Sequence, residues 1–363
     1  MKICYIADAA SPHSLRWISY FAAKGHQIDW ISTSEPEGIL PPNIGFHLIK
    51  NSKFKSLKII ANAWAVRQLV KKIKPDILHA HYAGVNGVLA WIAGFHPLVI
   101  TAWGSDISVA AQKPVMRILI APALKGADLV TCDAFHLKDA IIRLGVFEQK
   151  IKIVNFGVEA DIFCPGPAYA ELQKKLGVEN HPSVISVRSL EPIYDIPTLL
   201  KAAAIVIEKI PDARFVIGGR GSLEAELKRQ AKDFGIESNV IFAGFIPHDD
   251  LPRWFRSFNA YVSTSLSDSG IAGSTAEAMA CGLPPAVTDS GENDKWIENG
   301  RNGFLSPVKD HAALAENIIK ILTDHKIAIE IEENARRTIL ERNDYKTQMR
   351  AMENLYESLR QKK

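Results

Sequence analysis

The sequence is poor in cysteine and contains no long apolar run. Its 363 residues include only Cys4, Cys132, Cys164 and Cys281, and no two of them have the spacing of a zinc site or of a redox pair. No stretch reaches the roughly 18 apolar residues that a membrane-spanning helix needs. Residues 1–7 have the pattern of a buried strand and not that of a signal peptide. We therefore expect a cytoplasmic protein with reduced cysteines, rather than a disulfide-stabilised secreted domain or an integral membrane protein.

Acidic residues are absent from residues 38–75, although this segment carries eight of the 43 Lys and Arg residues. The first 165 residues have 18 basic and 12 acidic side chains, a net charge of +6, whereas the remainder has 25 and 28, a net charge of −3. The overall charge is only +3, and no nucleic-acid partner is expected. The basic side chains of the segment are Lys50, Lys53, Lys55, Lys58, Arg67, Lys71, Lys72 and Lys74.

Two interpretations of this Lys50–Lys74 basic segment stay open. One is docking on an anionic acceptor or on an anionic membrane surface, which would make the protein peripheral at the inner face of the membrane, with Phe54 and Trp64 as interfacial aromatic residues. The other is the solvated face of a helix. Apolar residues at helical spacing would then form its buried face, namely Ile59, Ile60, Ala63, Val66, Val70 and Ile73.

Apolar runs of strand length alternate with helical patterns from end to end, which predicts α/β architecture with parallel sheets covered by crossover helices. The chain also exceeds the length that one hydrophobic core usually supports, so two domains are expected. The predicted strands of the first domain are residues 3–7, 27–32, 76–81, 98–101, 129–132 and 152–155. Those of the second domain are residues 183–188, 214–218, 240–244, 260–263, 285–288 and 303–306.

The segment Phe163–Pro167 contains two prolines and a glycine, which are poor material for a helix or a strand and indicate a domain boundary. We predict two doubly wound Rossmann-like domains, residues 1–164 and residues 165–344, that face each other across a cleft. Residues 345–363 have helical spacing and are predicted to pack back on the first domain. Such domains bind ligands at the carboxyl ends of their strands, where candidate site residues should therefore lie.

The segment from Ser267 to Pro284 joins a strand end, a glycine loop and a helix start. Free backbone amides and the positive end of a helix dipole favour a phosphate group at such a place. Glu277 lies one turn into the helix, from where its carboxylate can reach a ribose. The segment therefore predicts a nucleotide site. Its candidate contacts are Asp268, Ser269, Gly270, Gly273, Ser274, Thr275 and Glu277.

The same segment has a purely structural alternative. Ser274 and Glu277 have the spacing of a capping box, in which the serine side chain and the glutamate side chain each bond a backbone amide of the first turn. Capping boxes are common, so the segment taken alone favours this alternative over a ribose site.

Arg188 closes the predicted strand 183–188 and is the candidate clamp for the phosphates. Its alternative partner is a surface acid such as Glu191. The turn around Gly219 follows the next strand and permits close approach of a backbone to a ligand, although most turns of this kind are only tight turns. We predict that Arg188 and Gly219 contact the same ligand as the Ser267–Pro284 segment.

In the first domain, the segment after the first strand starts a helix, with Ser11 as the expected N-cap and Pro12 at the first helical position. His13 and Arg16 lie one turn apart on this helix and are candidate substrate contacts. A second helix start follows the strand that ends near Thr101. There Asp106 is a candidate base or hydroxyl acceptor, with the N-cap of that helix as the alternative.

His79 and His81 end another strand of the first domain, and strand alternation places both imidazoles on one face. A hydrogen bond to a sugar hydroxyl is the favoured interpretation. Structural histidines come second. A metal site comes last, because no acidic residue or third ligand accompanies the pair.

Five motifs, taken in order and spacing, resemble those of retaining nucleotide-sugar glycosyltransferases of the B-type fold, the group 1 or family 4-like transferases that build bacterial and archaeal surface glycans. The strongest is Glu277–Pro284, which is similar to the motif whose glutamate holds the donor ribose. The others are Asp76–His81, Val154–Glu159 running to Phe163, Val240–Gly244 and Gly300–Leu305. The resemblance covers nearly the whole chain.

The resemblance implies transfer of a sugar from a nucleotide-diphosphate sugar to a hydroxyl of a glycan or lipid-linked acceptor, with retention of configuration, in surface polysaccharide biosynthesis. It implies neither a metal ion nor another cofactor. The first domain would bind the acceptor and the second the donor. Three residues are then predicted to act in catalysis, Arg188, Asp106 and His81, and three to bind the acceptor, His13, Arg16 and Trp103.

Three positions depart from the family pattern. The first acid of the family lies eight residues before the second, and Ser269 stands there with Asp268 beside it. Tyr194 stands where the family has a second phosphate-binding cation, a lysine. Trp103 stands where the family has a histidine before a glycine. These departures keep open a catalytically silent relative that only binds nucleotide sugar, whereas Ser269 disfavours an epimerase of the same fold.

Overall fold

The computed structural model describes residues 1–36, 40–49, 58–268 and 270–361, without the side chains of residues 58–60. The chain divides into two compact units. The first comprises residues 1–156 and the C-terminal segment that begins at Thr347, and the second comprises residues 157–346. The prediction of two doubly wound α/β domains is confirmed by the sheets described below.

The first unit contains a parallel sheet of seven strands in the order β3-β2-β1-β4-β5-β6-β7. Its strands are β1 (Lys2–Ile6), β2 (Gln27–Ser32), β3 (Ile44–Leu48), β4 (Ile77–His81), β5 (Leu98–Ala102), β6 (Leu129–Cys132) and β7 (Ile151–Ile153). Its helices are α1 (Pro12–Ala23), α2 (Lys58–Ile73), α3 (Val85–Ala93), α4 (Ser105–Ser108), α5 (Pro114–Gly126) and α6 (Phe135–Arg143). Side chains from α2, α3, α5 and α6 share one core with Cys4 and Ile6 of β1.

The second unit contains a parallel sheet of six strands in the order β10-β9-β8-β11-β12-β13. Its strands are β8 (Ser183–Val187), β9 (Arg214–Gly218), β10 (Val240–Gly244), β11 (Ala260–Ser263), β12 (Pro285–Thr288) and β13 (Phe304–Ser306). Its helices are α7 (Ala170–Leu176), α8 (Ile196–Lys209), α9 (Glu224–Asp233), α10 (Leu251–Phe255), α11 (Gly273–Ala280), α12 (Asn293–Trp296), α13 (His311–Thr323) and α14 (His325–Arg342). Strand order reverses between β8 and β11 here, and between β1 and β4 in the first unit, and such switch points are where α/β sheets bind ligands.

The last helix, α15 (Tyr345–Gln361), belongs mainly to the first unit. Tyr356 is fully buried there, with its hydroxyl 3.1 Å from that of Tyr5. Glu353 bonds His26 at 2.8 Å. Alternation along β1 turns Tyr5 away from Cys4 and Ile6, so α15 packs on the other face of the sheet from α2, α3, α5 and α6.

The units divide after Phe156, before the proline-containing segment that the sequence suggested as a boundary. Val158 forms a parallel bridge with Asp344, and its amide donates to the carbonyl of Asn343 at 2.7 Å. Phe163 is 2% exposed in the core of the second unit. Residues 157–164 therefore pack with the second sheet.

All twelve predicted strands are present, and one strand was missed. Among the described strands, β3 pairs with β2 alone, at the edge of the sheet. Gly45 and His47 interrupt its apolar pattern, and His47 bonds Asp29 of β2 at 2.7 Å. An edge strand is half exposed, so its sequence lacks the continuous apolar run by which the others were recognised. No helix in the described ranges has the length and apolar character that crossing a bilayer requires.

Candidate active site

Arg188 directly follows β8 and lies at the switch point of the second sheet. Its Nη2 donates to Oδ1 of Asp268 at 2.5 Å, and its Nη1 donates to Oγ of Ser274 at 3.3 Å. The guanidinium also lies over the ring of Tyr194, 4.4 Å from the ring centre. With 11% of its side chain exposed, Arg188 is a largely buried cation held by the loops after β8 and β11.

Two glycines of the turn after β9 allow this turn to pack on the backbone next to Arg188. A Cβ at Gly219 would lie 2.2 Å from the carbonyl oxygen of Arg188, and one at Gly221 would lie 2.3 Å from that of Leu190. Gly219 also has a φ of +137°, which side chains rarely permit. The structure thus gives Gly219 a part in placing Arg188, while its contact with a ligand stays a prediction.

Helix α11 begins without a capping box. Its N-cap is Ala272, which has no side-chain hydrogen bond to the helix. Ser274 instead lies inside the first turn, where its hydroxyl is 2.7 Å from that of the buried Tyr261 and also accepts from Arg188. Glu277 bonds Nε2 of His248 at 2.7 Å. The capping alternative for Ser274 and Glu277 is therefore wrong, because both side chains have tertiary partners.

The amino end of α11 is open to a ligand. The first amides of a helix have no partner within it, and at α11 these are the amides of Gly273, Ser274 and Thr275. A Cβ built on Gly273 would meet no atom within 4 Å. Gly270 precedes the helix with a φ of +71°, a conformation that favours glycine. Arg188 reaches this first turn through Ser274, so one cation lies near three amides that donate no hydrogen bond to other described residues.

Asp268 pairs with the arginine that was predicted to hold phosphate. Its side chain is only 8% exposed, and its Oδ2 has no hydrogen-bond partner among the described residues. Gly291 packs closely against the backbone of Asp268, since a Cβ at this glycine would lie 2.0 Å from the carbonyl oxygen of Asp268. Ser269, the other candidate for the missing first acid, lies outside the described residues.

Sequence reasoning missed three residues of this site, His248, Tyr261 and Gly291. His248 follows β10 by four residues, so its position after a strand end could have pointed to it. Tyr261 lies within β11 and has no such signal, because its phenol reaches Ser274 only through the fold. Gly291 follows β12, and only the tertiary contact with Asp268 explains it.

The first unit has a pocket of about 560 Å³ at the carboxyl ends of β1, β2, β4 and β5. His81 and Trp103 are the two predicted site residues that line it. The complete lining is Asp8, Ser11, Ser14, Thr33, Ser34, Asn62, His81, Tyr82, Val85, Asn86, Leu89 and Trp103. The pocket lies at the switch point between β1 and β4, where ligands bind in such folds.

His81 is the last residue of β4 and is 1% exposed. Neither of its ring nitrogens has a hydrogen-bond partner in the described part of the chain. Its ring packs against that of Trp103, with the centres 5.0 Å apart. Burial lowers the pKa of His81 to about 3, so the imidazole is neutral at physiological pH. Because it lines the pocket, His81 can donate one hydrogen bond to a ligand and accept another.

His79 has a structural role. Its Nδ1 bonds the hydroxyl of Tyr356 at 2.5 Å and its Nε2 bonds that of Thr101 at 2.6 Å. The rings of His79 and His81 lie 4.7 Å apart, as expected for two residues on one strand face. No group of three His, Cys, Asp or Glu side chains that could hold a metal ion occurs among the described residues.

Asp106 lies in α4, whose N-cap is Gly104, so the N-cap alternative for Asp106 is wrong. The carboxylate is fully buried and accepts from the amide of Ala83 at 2.6 Å and from that of Trp103 at 3.1 Å. Burial raises its pKa, and these backbone amides partly offset the shift. Asp106 thus ties together the loops that follow β4 and β5, next to the pocket that Trp103 lines.

His13 and Trp103 come together in the first unit. The rings of His13 and Trp103 lie edge to face with their centres 5.7 Å apart, and the centres of the His13 and Phe156 rings lie 4.9 Å apart. Partial burial lowers the pKa of His13, and the positive charge of Arg16 lowers it further. Ser11 caps α1 as predicted, accepting from the amide of Ser14 with Pro12 at the first helical position.

The burial of His81 predicts a pH dependence of stability. Its pKa is about 3 in the folded protein, against an ordinary value of 6.5. Between these values the unfolded chain binds more protons, so stability falls as pH falls through this window. From pH 6.5 to pH 5, we expect His81 to contribute a loss of about 2 kcal/mol. Urea unfolding of the wild type and of His81→Gln at both pH values measures this, and equal losses in the two proteins would contradict the assignment.

The described part of the Lys50–Lys74 basic segment is an amphipathic helix. In α2 the side chains of Ala63, Val66, Val70 and Ile73 are buried. Residues 50–57 and the side chain of Lys58 lie outside the described residues. Trp64 is 66% exposed, and Arg67, Lys71, Lys72 and Lys74 are exposed as well. The helical interpretation is thus confirmed for these residues, and it leaves a basic face with an exposed aromatic side chain.

Two family models match the chain, one in its first part and one in its second. "Glycosyl transferases group 1" matches residues 169–338, and "Glycosyl transferase 4-like" matches residues 2–134. The chain belongs to the group 1 glycosyltransferases. It is a glycosyltransferase that uses a nucleotide sugar, and the family suggested by its motifs is confirmed.

Relatives of this glycosyltransferase cover most of its length. It is 25% identical over 333 residues to the N-acetyl-alpha-D-glucosaminyl L-malate synthase of Bacillus anthracis, covering 88% of this chain and 86% of that protein. It is 28% identical over 301 residues to the UDP-Gal:alpha-D-GlcNAc-diphosphoundecaprenol alpha-1,3-galactosyltransferase of Escherichia coli, covering 80% and 76%.

Solved structures confirm the B-type fold of the glycosyltransferase. Anabaena Alr3699/HepE in complex with UDP superposes with a TM-score of 0.82 at 22% identity, covering 99% of this chain and 100% of that one. The lipopolysaccharide outer core galactosyltransferase WaaB, in its apo form, superposes with a TM-score of 0.76 at 18% identity, covering 99% of both chains.

The structure locates the three departures of this glycosyltransferase from its family. Tyr194, in place of a lysine, stacks on Arg188. Asp268, next to the position of the first acid, neutralises Arg188. Trp103, in place of a histidine, shares the wall of the first-unit pocket with His81. Two departures therefore alter the surroundings of a single arginine.

Proposed function

We propose that this glycosyltransferase transfers a sugar from a nucleoside-diphosphate donor to a hydroxyl of a glycan or lipid-linked acceptor, with retention of configuration. The donor binds at the carboxyl ends of β8 and β11, and the acceptor binds in the pocket of the first unit. The observation that carries the proposal is the convergence of the buried Arg188 on the first turn of α11. A cation and free amides at one place suit a diphosphate.

Stabilisation of the leaving diphosphate is the main catalytic task. Arg188 and the amides from Gly273 to Thr275 meet the charge that develops on the phosphate, and each such donor can contribute roughly 3 to 4 kcal/mol. We propose that these groups suffice without a metal ion, and that Glu277 holds the donor ribose. The leaving phosphate then takes the proton of the acceptor hydroxyl, so a strong protein base is not needed.

The names of the relatives support glycosyl transfer as the class of reaction, but they differ in the acceptor that they name. The Escherichia coli relative is named for a UDP-sugar donor and a lipid diphosphate acceptor, and the Bacillus anthracis relative for L-malate. We propose the first kind of acceptor, and with it a role in surface polysaccharide biosynthesis at the inner face of the membrane.

Nucleotide-sugar turnover tests this function. We expect one nucleotide sugar from a panel to raise the melting temperature. Release of nucleoside diphosphate from this donor should be slow when water receives the sugar and faster when an acceptor receives it, and a chelator should not change either rate. The anomeric configuration of the product, read by NMR, tests retention. Binding of donor without turnover by any lipid-linked acceptor would contradict the enzyme proposal and indicate a silent binding subunit.

The basic face of α2 predicts association with anionic membranes. Each lysine near such a surface contributes about 1 kcal/mol, so Lys71→Glu with Lys72→Glu should weaken binding to phosphatidylglycerol vesicles at least about tenfold. Lys174→Glu with Lys175→Glu is the matched control, because these exposed lysines of α7 make the same charge change in the second unit. Vesicle co-sedimentation at low and high salt measures the effect, and equal losses in both variants would remove the membrane proposal.

A further inference from the structure

We infer that Asp268 is a specificity-determining residue of the donor site, which weakens the binding of free nucleoside diphosphate more than that of nucleotide sugar. That the diphosphate binds at Arg188 and the first turn of α11 rests on the proposed function. The effect of Asp268 on this binding follows from its charge, its burial and its place beside Arg188.

The described side chains that meet at the proposed diphosphate site provide little positive charge for a phosphate. Arg188 is the cation, and its Nη2 donates to Oδ1 of Asp268 at 2.5 Å. Glu277, on the helix whose first turn would hold the phosphates, adds a second carboxylate. Tyr194 stacks on Arg188 where the family has a lysine, and adds no charge. Arg188 is therefore neutralised by a protein carboxylate before a ligand arrives.

The charge of Asp268 acts on any phosphate that Arg188 holds. The side chain of Asp268 is 8% exposed and that of Arg188 is 11% exposed, so little water lies between them. Two oxygens that bond the same guanidinium lie within about 7 Å of each other, which is less than the Debye length at physiological salt. A phosphate therefore either shares Arg188 with Asp268 or takes its place, and both weaken binding.

The backbone builds the pairing of Asp268 with Arg188 into the fold. The loop after β11 is bonded to the loop after β8, where the amide of Leu266 donates to the carbonyl of Ile193 at 2.8 Å. On its other side the backbone of Asp268 packs against Gly291, where a Cβ would lie 2.0 Å from the Asp268 carbonyl oxygen. Asp268 is thus placed by three loops at the carboxyl ends of the strands.

The donor and the product of the proposed reaction differ in charge. In a nucleotide sugar both phosphates are esterified, so each carries a single negative charge. The product nucleoside diphosphate ends in a free phosphate whose second pKa is about 6, so it carries one more negative charge at neutral pH. An unpaired arginine would attract this product more strongly than the donor. Asp268 repels the additional charge, which favours donor over product and limits inhibition by the product.

Isothermal titration of the full-length protein tests the inference, with EDTA present so that no metal ion masks the phosphate charge. The probes are UDP and GDP, which carry the additional charge, and their β-methyl esters, which do not. We expect the wild type to bind the better of the two diphosphates no more than about threefold more tightly than its ester, because Asp268 offsets the added attraction to Arg188. A larger ratio in the wild type would overturn the inference.

Asp268→Asn removes the charge but keeps the size of the side chain and an amide oxygen that can accept from Arg188. It should raise the affinity for the diphosphate at least about tenfold and that for the ester by a smaller factor, so that their ratio rises at least about threefold. An unchanged or lower ratio would refute the inference. A variant in which only UDP-glucose or GDP-mannose binds more weakly would also refute it, and would make Asp268 a contact of the donor sugar.

Two further variants separate charge from structure. Asp268→Glu keeps the negative charge and should keep the ratio of the wild type, whereas a merely structural aspartate would give the same result for glutamate and asparagine. Asp212→Asn is the matched control, because this exposed aspartate precedes β9 at the amino ends of the strands and should leave both affinities unchanged.

The inference and the proposed function can fail separately. If Arg188→Ala leaves diphosphate binding intact, the proposed donor site is wrong. If Arg188→Ala weakens binding but Asp268→Asn leaves the ratio of diphosphate to ester unchanged, the inference alone fails. A protein that shows the raised ratio but turns over no nucleotide sugar keeps the inference and loses the proposed reaction.

Discussion

Replacing Arg188 with alanine is expected to weaken nucleoside-diphosphate binding by about 100-fold or more and to lower the stability of the protein as well. The binding loss follows from removal of the cation that reaches the first turn of α11 through Ser274. Loss of one preorganised donor to a charged group typically costs about 3 kcal/mol, which corresponds to this factor. Tyr194 cannot compensate, because it carries no charge in place of the family's lysine.

The stability loss follows from Asp268. Its carboxylate is 8% exposed and pairs with Arg188 at 2.5 Å. Removal of one partner from such a pair leaves a buried charge and costs about 3 to 5 kcal/mol. Arg188→Ala with Asp268→Ala should recover much of that loss, since neither charge then remains.

Comparison of these variants separates the two effects. Isothermal titration with UDP and with GDP measures binding, and urea unfolding measures stability. Binding should stay weak in the double variant even though stability recovers. Arg229→Ala is the control, because this exposed arginine of α9 pairs with Glu226 at the surface and should change stability by less than about 1 kcal/mol. Recovery of nucleotide binding in the double variant would show that Arg188 is only structural.

Replacing Glu277 with alanine is expected to remove the preference of the protein for a ribose over a deoxyribose. A hydrogen bond to a charged group contributes about 1.5 to 3 kcal/mol, so the wild type should prefer UDP or GDP over their 3′-deoxy forms roughly 10- to 100-fold. In Glu277→Ala the preference should fall below about threefold. The melting temperature should change little, because α11 has no side-chain cap that depends on Glu277.

His248 provides an internal check on this prediction. It bonds Glu277 at 2.7 Å but is itself 60% exposed, so it orients the carboxylate rather than burying it. His248→Ala should therefore reduce the ribose preference by a few-fold, much less than Glu277→Ala. If Glu277→Ala keeps the full preference, or lowers stability while leaving binding intact, Glu277 is a structural residue of the helix.

The sequence alone predicted most of the fold. Apolar runs identified twelve strands because a parallel sheet is covered on both faces, and a strand buried on both sides must be apolar throughout. The edge strand β3 was not predicted from the sequence for the opposite reason, since half of it faces solvent and its residues are not apolar throughout. The assignment of residues 157–164 to the second unit depends on the bridge between Val158 and Asp344, which no local pattern indicates.

The candidate site was predictable where function follows chain position. Arg188 directly follows β8, His81 ends β4, and Glu277 lies in the helix that follows β11, so their neighbourhood at the carboxyl ends could be inferred from sequence. The partners of these residues that come from other segments of the chain could not be inferred from the sequence. His248 lies 29 residues from Glu277, and Asp268 lies 80 residues from Arg188, yet each is within hydrogen-bond distance.

The sequence by itself determined the two-domain parallel architecture and the family, because these depend on local periodicity and on motifs of contiguous residues. Only the tertiary structure decided what the side chains do to one another. It excluded the capping box at Ser274, made Asp268 the counter-ion of Arg188, and left His81 neutral and without a hydrogen-bond partner among the described residues. Hydrogen bonds, burial and the resulting pKa depend on distances in space between residues that are far apart in the chain, and no local pattern encodes those distances.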